Sequence, residues 1–519
     1  MRITELDIND FKFFQQVEAD SPLLRIDEKN LLIFGENGSG KSSIYWALYT
    51  FFEASFKTSD AEIKKYFLKT GKSSLVNIHS VGSSRSYLKV KLKENEDYKT
   101  YRVSHKPSGL RIRGNVDVQE SNMASDFINY RVLFELHNLK HSKSNDLWPW
   151  FEHEILPYVR KGTDNCLEIL ELLKQGPEKV NNLAGEQVFP VPSLRTSANA
   201  AERNNYRFYK EYKDKVNEWI SWLNNLLSQI NTLANQMLED DFDFRLKIEL
   251  SASLKFPEFD ATSNSVKWHN PVINLNILEY EGIVNPNITR PHSFLNEAKW
   301  SAIGISIRFS ILDIKLYTAE LKCLVIDDML LSLDMVNREI VVNLILTKYS
   351  PDYQVFFLTH DKFLFEFVKY KLKSAGLSGN WKSLEMYEDE TSATPKPIIL
   401  EAKPQLEKAW AYYYSREYPS SANTLRKAVE KLCKQYLDPN ERLTPSFSVM
   451  NLHQMIEKLI QKGTANGLDA ARLISLTEYK DRILNPSSHY DIVTPIFRNE
   501  LKKGLETVEA IAQEMGYEI

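Results

Sequence analysis

Nothing in the chain narrows its fold more than Gly35-Glu-Asn-Gly-Ser-Gly-Lys-Ser-Ser43. The run follows directly on the apolar stretch Leu31-Leu-Ile-Phe34 and opens an amphipathic stretch through Tyr45, Leu48 and Phe52. A short buried strand, a glycine turn and a helix in that order specify an α/β fold with the turn at a strand's carboxyl end. The spacing Gly35-x4-Gly40-Lys41-Ser42 matches the Walker A pattern. Glycines let backbone N–H groups curl round phosphates, the lysine reaches the terminal phosphates, and the serine hydroxyl serves Mg²⁺. Gly35, Asn37, Gly38, Ser39, Gly40, Lys41, Ser42 and Ser43 are therefore candidate ATP-binding residues, with Ser42 also a metal ligand.

A second apolar strand, Leu324-Val-Ile-Asp-Asp328, ends in two carboxylates. Asp327 is placed to hold Mg²⁺ through its water shell, and Asp328 occupies the position where the ABC-type ATPases that this strand resembles carry the glutamate that polarises the attacking water. Leu331-Ser-Leu-Asp334 follows, and then Gln354-Val-Phe-Phe-Leu-Thr-His360, a strand ending in a histidine. Continuous apolar runs of this kind suit strands covered on both faces. Further strands are expected near residues 1–8, 83–113, 244–250 and 272–278, and helices over 294–317 and 335–348.

A chain of 519 residues suggests two or three domains, and its formal net charge of -4 excludes a globally basic nucleic-acid coat. Cys166, Cys323 and Cys433 lie too far apart for a zinc motif or a disulfide framework, which fits a reducing cytoplasm. The opening lacks a signal-peptide core and no later run is long enough to span a bilayer, so a soluble, cytoplasmic protein without membrane contact is expected. Helical periodicity, with Trp219, Trp222, Leu226 and Ile230 as a core stripe, marks 125–240 as a helical insertion. It divides an ATPase head into 1–124 and 241–390. Residues 391–403 read as a linker, and 404–519 as a small all-helical domain with helices near 404–416, 420–437, 450–463, 468–485 and 495–515.

On these motifs the first 390 residues or so resemble an ABC-type head of the SMC/RecF superfamily. The resemblance makes Asp334 part of a D-loop and His360 a switch histidine at the γ-phosphate. His292-Ser-Phe-Leu-Asn-Glu-Ala-Lys-Trp300 sits where the family has its LSGGE-K signature, with Asn296 the substitute for the missing serine. "FLNEAK" resembles the form found in ATPases of bacterial anti-phage systems. Two copies sandwiching two nucleotides, a homodimer, are implied. The insertion allows only a short helical pair, about 45 Å long for ~30 residues, with no Cys-x-x-Cys hook.

Two features mark the tail. Arg426 and Glu430 stand four apart on one helix face, beside the apolar Leu425 and Val429. Arg482 ends a helix that Pro486 stops, and His489 lies in the turn before the last helix. By themselves these are a surface ion pair and a solvated turn. With the five-helix layout they resemble a HEPN domain, whose ribonuclease members carry Arg-x4-6-His. Head and tail together resemble bacterial anticodon nucleases of the PrrC and RloC type, whose Arg-x3-Glu pair and later His fall here on Arg426, Glu430 and His489. RNA carries its own 2′-OH nucleophile, so a metal-free nuclease needs a proton acceptor, a proton donor and a cation for the phosphorane. His489 would serve as general base or acid, Arg426 and Arg482 would hold the phosphate, and Glu430 would orient His489 or act as its partner in proton transfer.

The expected function is an ATP-gated HEPN ribonuclease acting on tRNA or another host RNA in anti-phage defence, released by a phage trigger or protein partner. Two alternatives stay open. One is an ATPase adaptor with a nuclease-dead tail that recruits a separate effector nuclease, as Septu-type ATPases do. The other is a RecF-like DNA-repair ATPase.

Overall fold

The computed structural model describes residues 1–15, 23–81, 85–137, 146–161, 164–181, 185–190, 200–260, 265–288, 290–314, 319–389, 392, 394–401, 404–484 and 498–517. The chain divides into two compact units, Met1–Leu400 and Glu401–Ile519. Strands that build the first unit are β1 (Arg2–Asn9), β2 (Leu23–Arg25), β3 (Asn30–Gly35), β4 (Tyr87–Glu94), β5 (Asp97–Ser104), β6 (Asp126–Asn129), β7 (Leu246–Ser253) and β8 (Val272–Tyr280). They continue as β9 (Ile283–Val284), β10 (Cys323–Asp327), β11 (Gln354–Thr359), β12 (Trp381–Glu388) and β13 (Pro397–Glu401). Its principal helices are α1 (Lys41–Glu53), α2 (Arg131–His137), α3 (Ala200–Asp240), α4 (Glu297–Ile314), α5 (Met335–Leu344) and α6 (Lys362–Ser374).

A six-stranded sheet in the order β13-β12-β3-β11-β10-β6 carries the site. β3 pairs in parallel with β12 and β11, and β10 in parallel with β11 and β6. Register sets Phe34 against Thr359, and Asp327 against both Leu358 and Asn129. Gly35, Asp327, His360 and Asn129 therefore all emerge at one carboxyl edge, where α/β sheets place ligands. β3, β10 and β11 are buried along their whole length, as their unbroken apolar runs require. A second, antiparallel sheet, β2-β1-β4-β5, lies over α1, and Ile3, Leu6, Ile8, Leu48, Phe51, Phe52, Leu88 and Val90 share one core.

Four expectations need correction. Residues 125–240 do not begin as a helical pair: they open with β6, a strand of the site-bearing sheet, whose four residues are too few to show a period. The long helix within that stretch, α3, has 41 residues, so it runs about 60 Å rather than 45 Å. Of its expected stripe, Trp219, Leu226 and Ile230 are buried and Trp222 is half-buried. The helix expected over 294–317 breaks at Leu295 and Asn296 into a short turn, Pro291–Phe294, and α4. The linker expected at 391–403 contains β13, an edge strand beside β12, and β12 itself was not anticipated because charged residues interrupt its alternation.

An asparagine ladder fastens α3 to the sheet β7-β8-β9. Asn224, Asn231 and Asn235 each accept from and donate to one backbone unit of β7, at Ala252, Leu250 and Ile248 respectively, over 2.7–3.1 Å. Spacings of seven and four keep the three amides on one helix face. They satisfy the free edge of β7, which would otherwise invite pairing with another chain.

The second unit is all helical: α7 (Gln405–Tyr414), α8 (Tyr418–Tyr436), α9 (Leu452–Ala465), α10 (Ala470–Tyr479, continued by a π turn over Lys480–Leu484) and α11 (Arg498–Glu514). Five helices were expected and five are present among the described residues. Leu425, Val429 and Leu432 of α8 meet Ile456, Leu459, Leu476, Leu505 and Val508 in its core. No described helix of the chain is long and apolar enough to cross a membrane.

Candidate nucleotide site

Between β3 and α1 the chain turns through Gly38 at φ 92° and Gly40 at φ 97°, left-handed values that a side chain would strain. Space enforces the sequence as well. A Cβ on Gly35 would lie 2.5 Å from Ser39 Oγ and 2.9 Å from the Met386 carbonyl oxygen, and one on Gly40 would lie 2.6 Å from the Phe13 ring. Phe13 thus packs directly on the loop, and its backbone N–H donates to Ser43 Oγ at 3.3 Å. Sequence reasoning missed this contact, although Phe11-Lys-Phe-Phe14 is conspicuously aromatic. Asn37 is exposed on the loop, whereas Ser39 is buried with an unpartnered hydroxyl.

The Lys41 ammonium is drawn inward, donating to the carbonyl oxygens of Gly35 at 2.5 Å and Glu36 at 3.0 Å. Burial lowers its pKa, and Asp328, Asp327 and Glu36 pull the other way. Asp327 is 6% exposed, and burial pushes its carboxyl up to about 6. Its hydrogen bond from the Ser42 hydroxyl and the charges of Lys41 and His360 only partly offset that cost. The Oδ1 of Asp327 is buried with no hydrogen-bond partner among the described residues. An orphaned carboxylate oxygen, beside a serine hydroxyl and under a glycine cradle, is the donor set Mg²⁺ and a triphosphate require.

Asp328 stands at φ 54°, a left-handed conformation that aspartate tolerates better than most residues. That turn brings its carboxylate back to β11. Oδ1 accepts from the His360 backbone N–H at 2.9 Å, and Oδ2 lies 3.0 Å from His360 Nδ1. Asp328 and His360 are a contacting pair joined by the backbone hydrogen bond, and Nδ1 stands close to the carboxylate without hydrogen-bond geometry.

Asp334 caps α5, accepting from Asn337 N at 2.9 Å. Asn296, exposed, accepts from Lys299 N at 2.9 Å at the start of α4. The side chains of His292 and Ser293 lie outside the described residues. One neighbour escaped the sequence reading: Asn129, which faces Asp327 in register and donates to Tyr45 Oη at 3.3 Å. A four-residue strand gave no signal for it.

A buried ion pair ties α4 to the first residue of β6, which sits beside Leu324 at the opposite end of the strand from Asn129. Arg308 of α4 meets Asp126 of β6 through two hydrogen bonds of 2.6 and 2.7 Å, both side chains fully buried.

In the helical unit, Arg426 Nε donates to Glu430 Oε1 at 3.2 Å on one face of α8, and Nη1 lies 3.5 Å from the Leu484 carbonyl oxygen. Arg482 turns instead to α11, pairing with Glu500 at 2.7 Å with about half its side chain exposed. His489 lies outside the described residues. All three cysteines are buried, and burial pushes each thiol up to about 12, which makes them inert packing groups.

Residues 5–234, somewhat under half the chain, match the family model described as AAA domain (AAA_23). Over those residues the chain is similar to an AAA domain. No curated protein matches. Among solved structures, an Smc head bound to the C-winged helix domain of ScpA is 12% identical, aligning 79% of this chain with 100% of that one at a TM-score of 0.40. RecF with ATP, a recombination mediator of the RecFOR pathway, is 14% identical over 77% of this chain and 97% of its own, at 0.36. The SMC head domain from Thermotoga maritima is 14% identical over 78% and 100%, at 0.30. These likenesses are loose in shape, and the reading below is carried by the site.

Proposed function

We propose that the chain is an ATPase of the SMC/RecF type, working with Mg²⁺ at the carboxyl edge of its six-stranded sheet. One observation carries the reading: the orphaned Asp327 Oδ1 opposite the glycine cradle of Lys41, with the Asp328–His360 pair alongside. Ser42 and Asp327 would hold Mg²⁺, and backbone N–H groups from Gly38 to Ser43 with Lys41 would hold the phosphates. The metal supplies charge neutralisation on the phosphate oxygens when bound. Asp328 would accept a proton from the attacking water while His360, held by its backbone N–H to Asp328, would face the γ-phosphate. Met335, Val336 and Phe363 are exposed at 53%, 70% and 63% and flank Asp334 and Asp361. A second copy would cover this apolar rim and bring its own Asn296 and Asp334 to the nucleotide.

The helical unit is, on the same proposal, a HEPN-type ribonuclease governed by the nucleotide and used against phage. Support comes from Arg426, which approaches the carbonyl of Leu484, the residue just before the segment that holds His489. There His489 would take the proton of the 2′-OH as that oxygen attacks phosphorus, and would return it to the 5′-oxygen as the P–O5′ bond breaks, giving 2′,3′-cyclic phosphate and 5′-OH ends. The adaptor reading has its own observation: the Arg482–Glu500 pair leaves that guanidinium already neutralised. Incubating the purified protein with tRNA, with and without ATP, separates the two. Cleavage that is nucleotide-dependent and lost in His489→Ala supports the nuclease, and intact tRNA in every nucleotide state supports the adaptor.

A further inference from the structure

Helix α5, which follows Asp334, carries two side chains that the reading above leaves unused. Arg338 donates from Nε to the Leu333 carbonyl oxygen at 2.9 Å and from Nη1 to Asp361 Oδ2 at 2.8 Å. The other oxygen of Asp361 caps α6, accepting from Phe363 N at 2.9 Å and Leu364 N at 3.1 Å. Asp361 directly follows His360, whose backbone N–H is held by Asp328. A single guanidinium therefore ties the carbonyl before Asp334 to the residue after His360. Its neighbour Asn337, 1% exposed, donates to the Ala298 carbonyl oxygen at 3.0 Å and to Asp334 Oδ2 at 3.2 Å. Those bonds bring in the start of α4, two residues beyond Asn296. Three loops at the nucleotide edge thus converge on consecutive residues of one helix.

We propose that Arg338 is a positioning residue for ATP turnover, holding the His360–Asp328 pair in register with Asp334. The inference rests on the ATPase reading. It needs a planar cation with two separate N–H directions, which a lysine ammonium on a flexible stem does not reproduce. It also distinguishes binding from turnover, because Leu333 and Asp361, the two partners that Arg338 joins, lie outside residues 35–43, which would hold the phosphates.

The test measures ATP turnover, affinity for a fluorescent ATP analogue, and melting temperature in the full chain. Wild type is compared with Lys41→Ala, Arg338→Ala, Arg338→Lys, Asp361→Asn and the double variant Arg338→Ala/Asp361→Asn. Asparagine keeps the oxygen that caps α6 and removes only the charge. Both Arg338 variants and Asp361→Asn should lower kcat about tenfold or more with KM and analogue affinity within about twofold. The double variant should be no slower than either single one, as expected of one shared interaction. Arg338→Lys that melts like wild type yet keeps full kcat, or additive losses in the double variant, would overturn the proposal. Wild type without turnover, or turnover that survives Lys41→Ala, overturns the ATPase reading and this inference with it. Turnover lost in Lys41→Ala but intact in Arg338→Lys overturns the inference alone.

Discussion

The two units hold their charged residues in opposite ways. At the sheet edge of the first, the backbone turns left-handed at Gly38, Gly40 and Asp328, and Asp327 buries an oxygen that none of the described residues satisfies. Such features cost stability and persist where a ligand completes them. In the helical unit, Arg426 meets Glu430 and Arg482 meets Glu500, each pair partly exposed and already neutralised. One unit leaves a buried carboxylate oxygen unmatched among the described residues, whereas the other displays satisfied pairs that any helical surface tolerates. An unmet polar group is stronger testimony to chemistry than a met one.

The largest effects should come from the two residues that define each proposed site. Lys41→Ala should cut ATP turnover by about 10²-fold or more, and His489→Ala should cut RNA cleavage by about 10²- to 10⁴-fold while leaving ATP turnover intact. A His489→Ala protein that still cleaves tRNA breaks the comparison on the helical side. Next comes Arg308→Ala, which strands Asp126 as an unpaired buried charge. Chemical denaturation should show a loss of ~3–5 kcal/mol, and a loss below about 1 kcal/mol would mean that water enters the pair.

Asp327→Asn sharpens the contrast from the stability side. Burial holds the Asp327 carboxyl at about 6 when folded, against about 4 in an unfolded chain. The folded protein therefore binds its proton more tightly, and stability declines as pH rises from about 4 to about 6. Without nucleotide or Mg²⁺ at pH 7.5, Asp327→Asn should be more stable than wild type by ~1–3 kcal/mol while losing turnover. Its advantage should shrink below pH 4. Equal or lower stability at pH 7.5 would remove Asp327 from the strained set. The smallest effect belongs to Arg426→Ala. An exposed i,i+4 pair contributes about 0.3–0.5 kcal/mol, so melting should barely move even where RNA cleavage is lost. A large drop in melting temperature would recast Arg426 as structural.

Much of the head could be read without coordinates. β3, β10 and β11 are continuous apolar runs, and a strand that ends in Gly-x4-Gly-Lys-Ser or Asp-Asp announces its own carboxyl edge. β6 and β12 could not be read that way. One has four residues and the other carries Lys382, Glu385 and Glu388, so neither shows a clean period, and only pairing with β10 and β3 makes them strands. Asn129 was lost with β6. Contacts such as Phe13 on Gly40 join residues far apart in sequence, where spacing is silent. In the tail, helix number was legible from the 3.6-residue period, and Arg426–Glu430 from its four-residue step. The partner of Arg482 was not, because Glu500 lies on another helix.

The most direct test of the central claim is single-turnover release of phosphate from γ-labelled ATP with Mg²⁺, comparing wild type with Lys41→Ala and Asp327→Asn. Release by wild type, and loss of about 10²-fold or more in both variants with their folds intact, is the expected result. Wild type that releases no phosphate, or variants that release it at the same rate, would contradict the account.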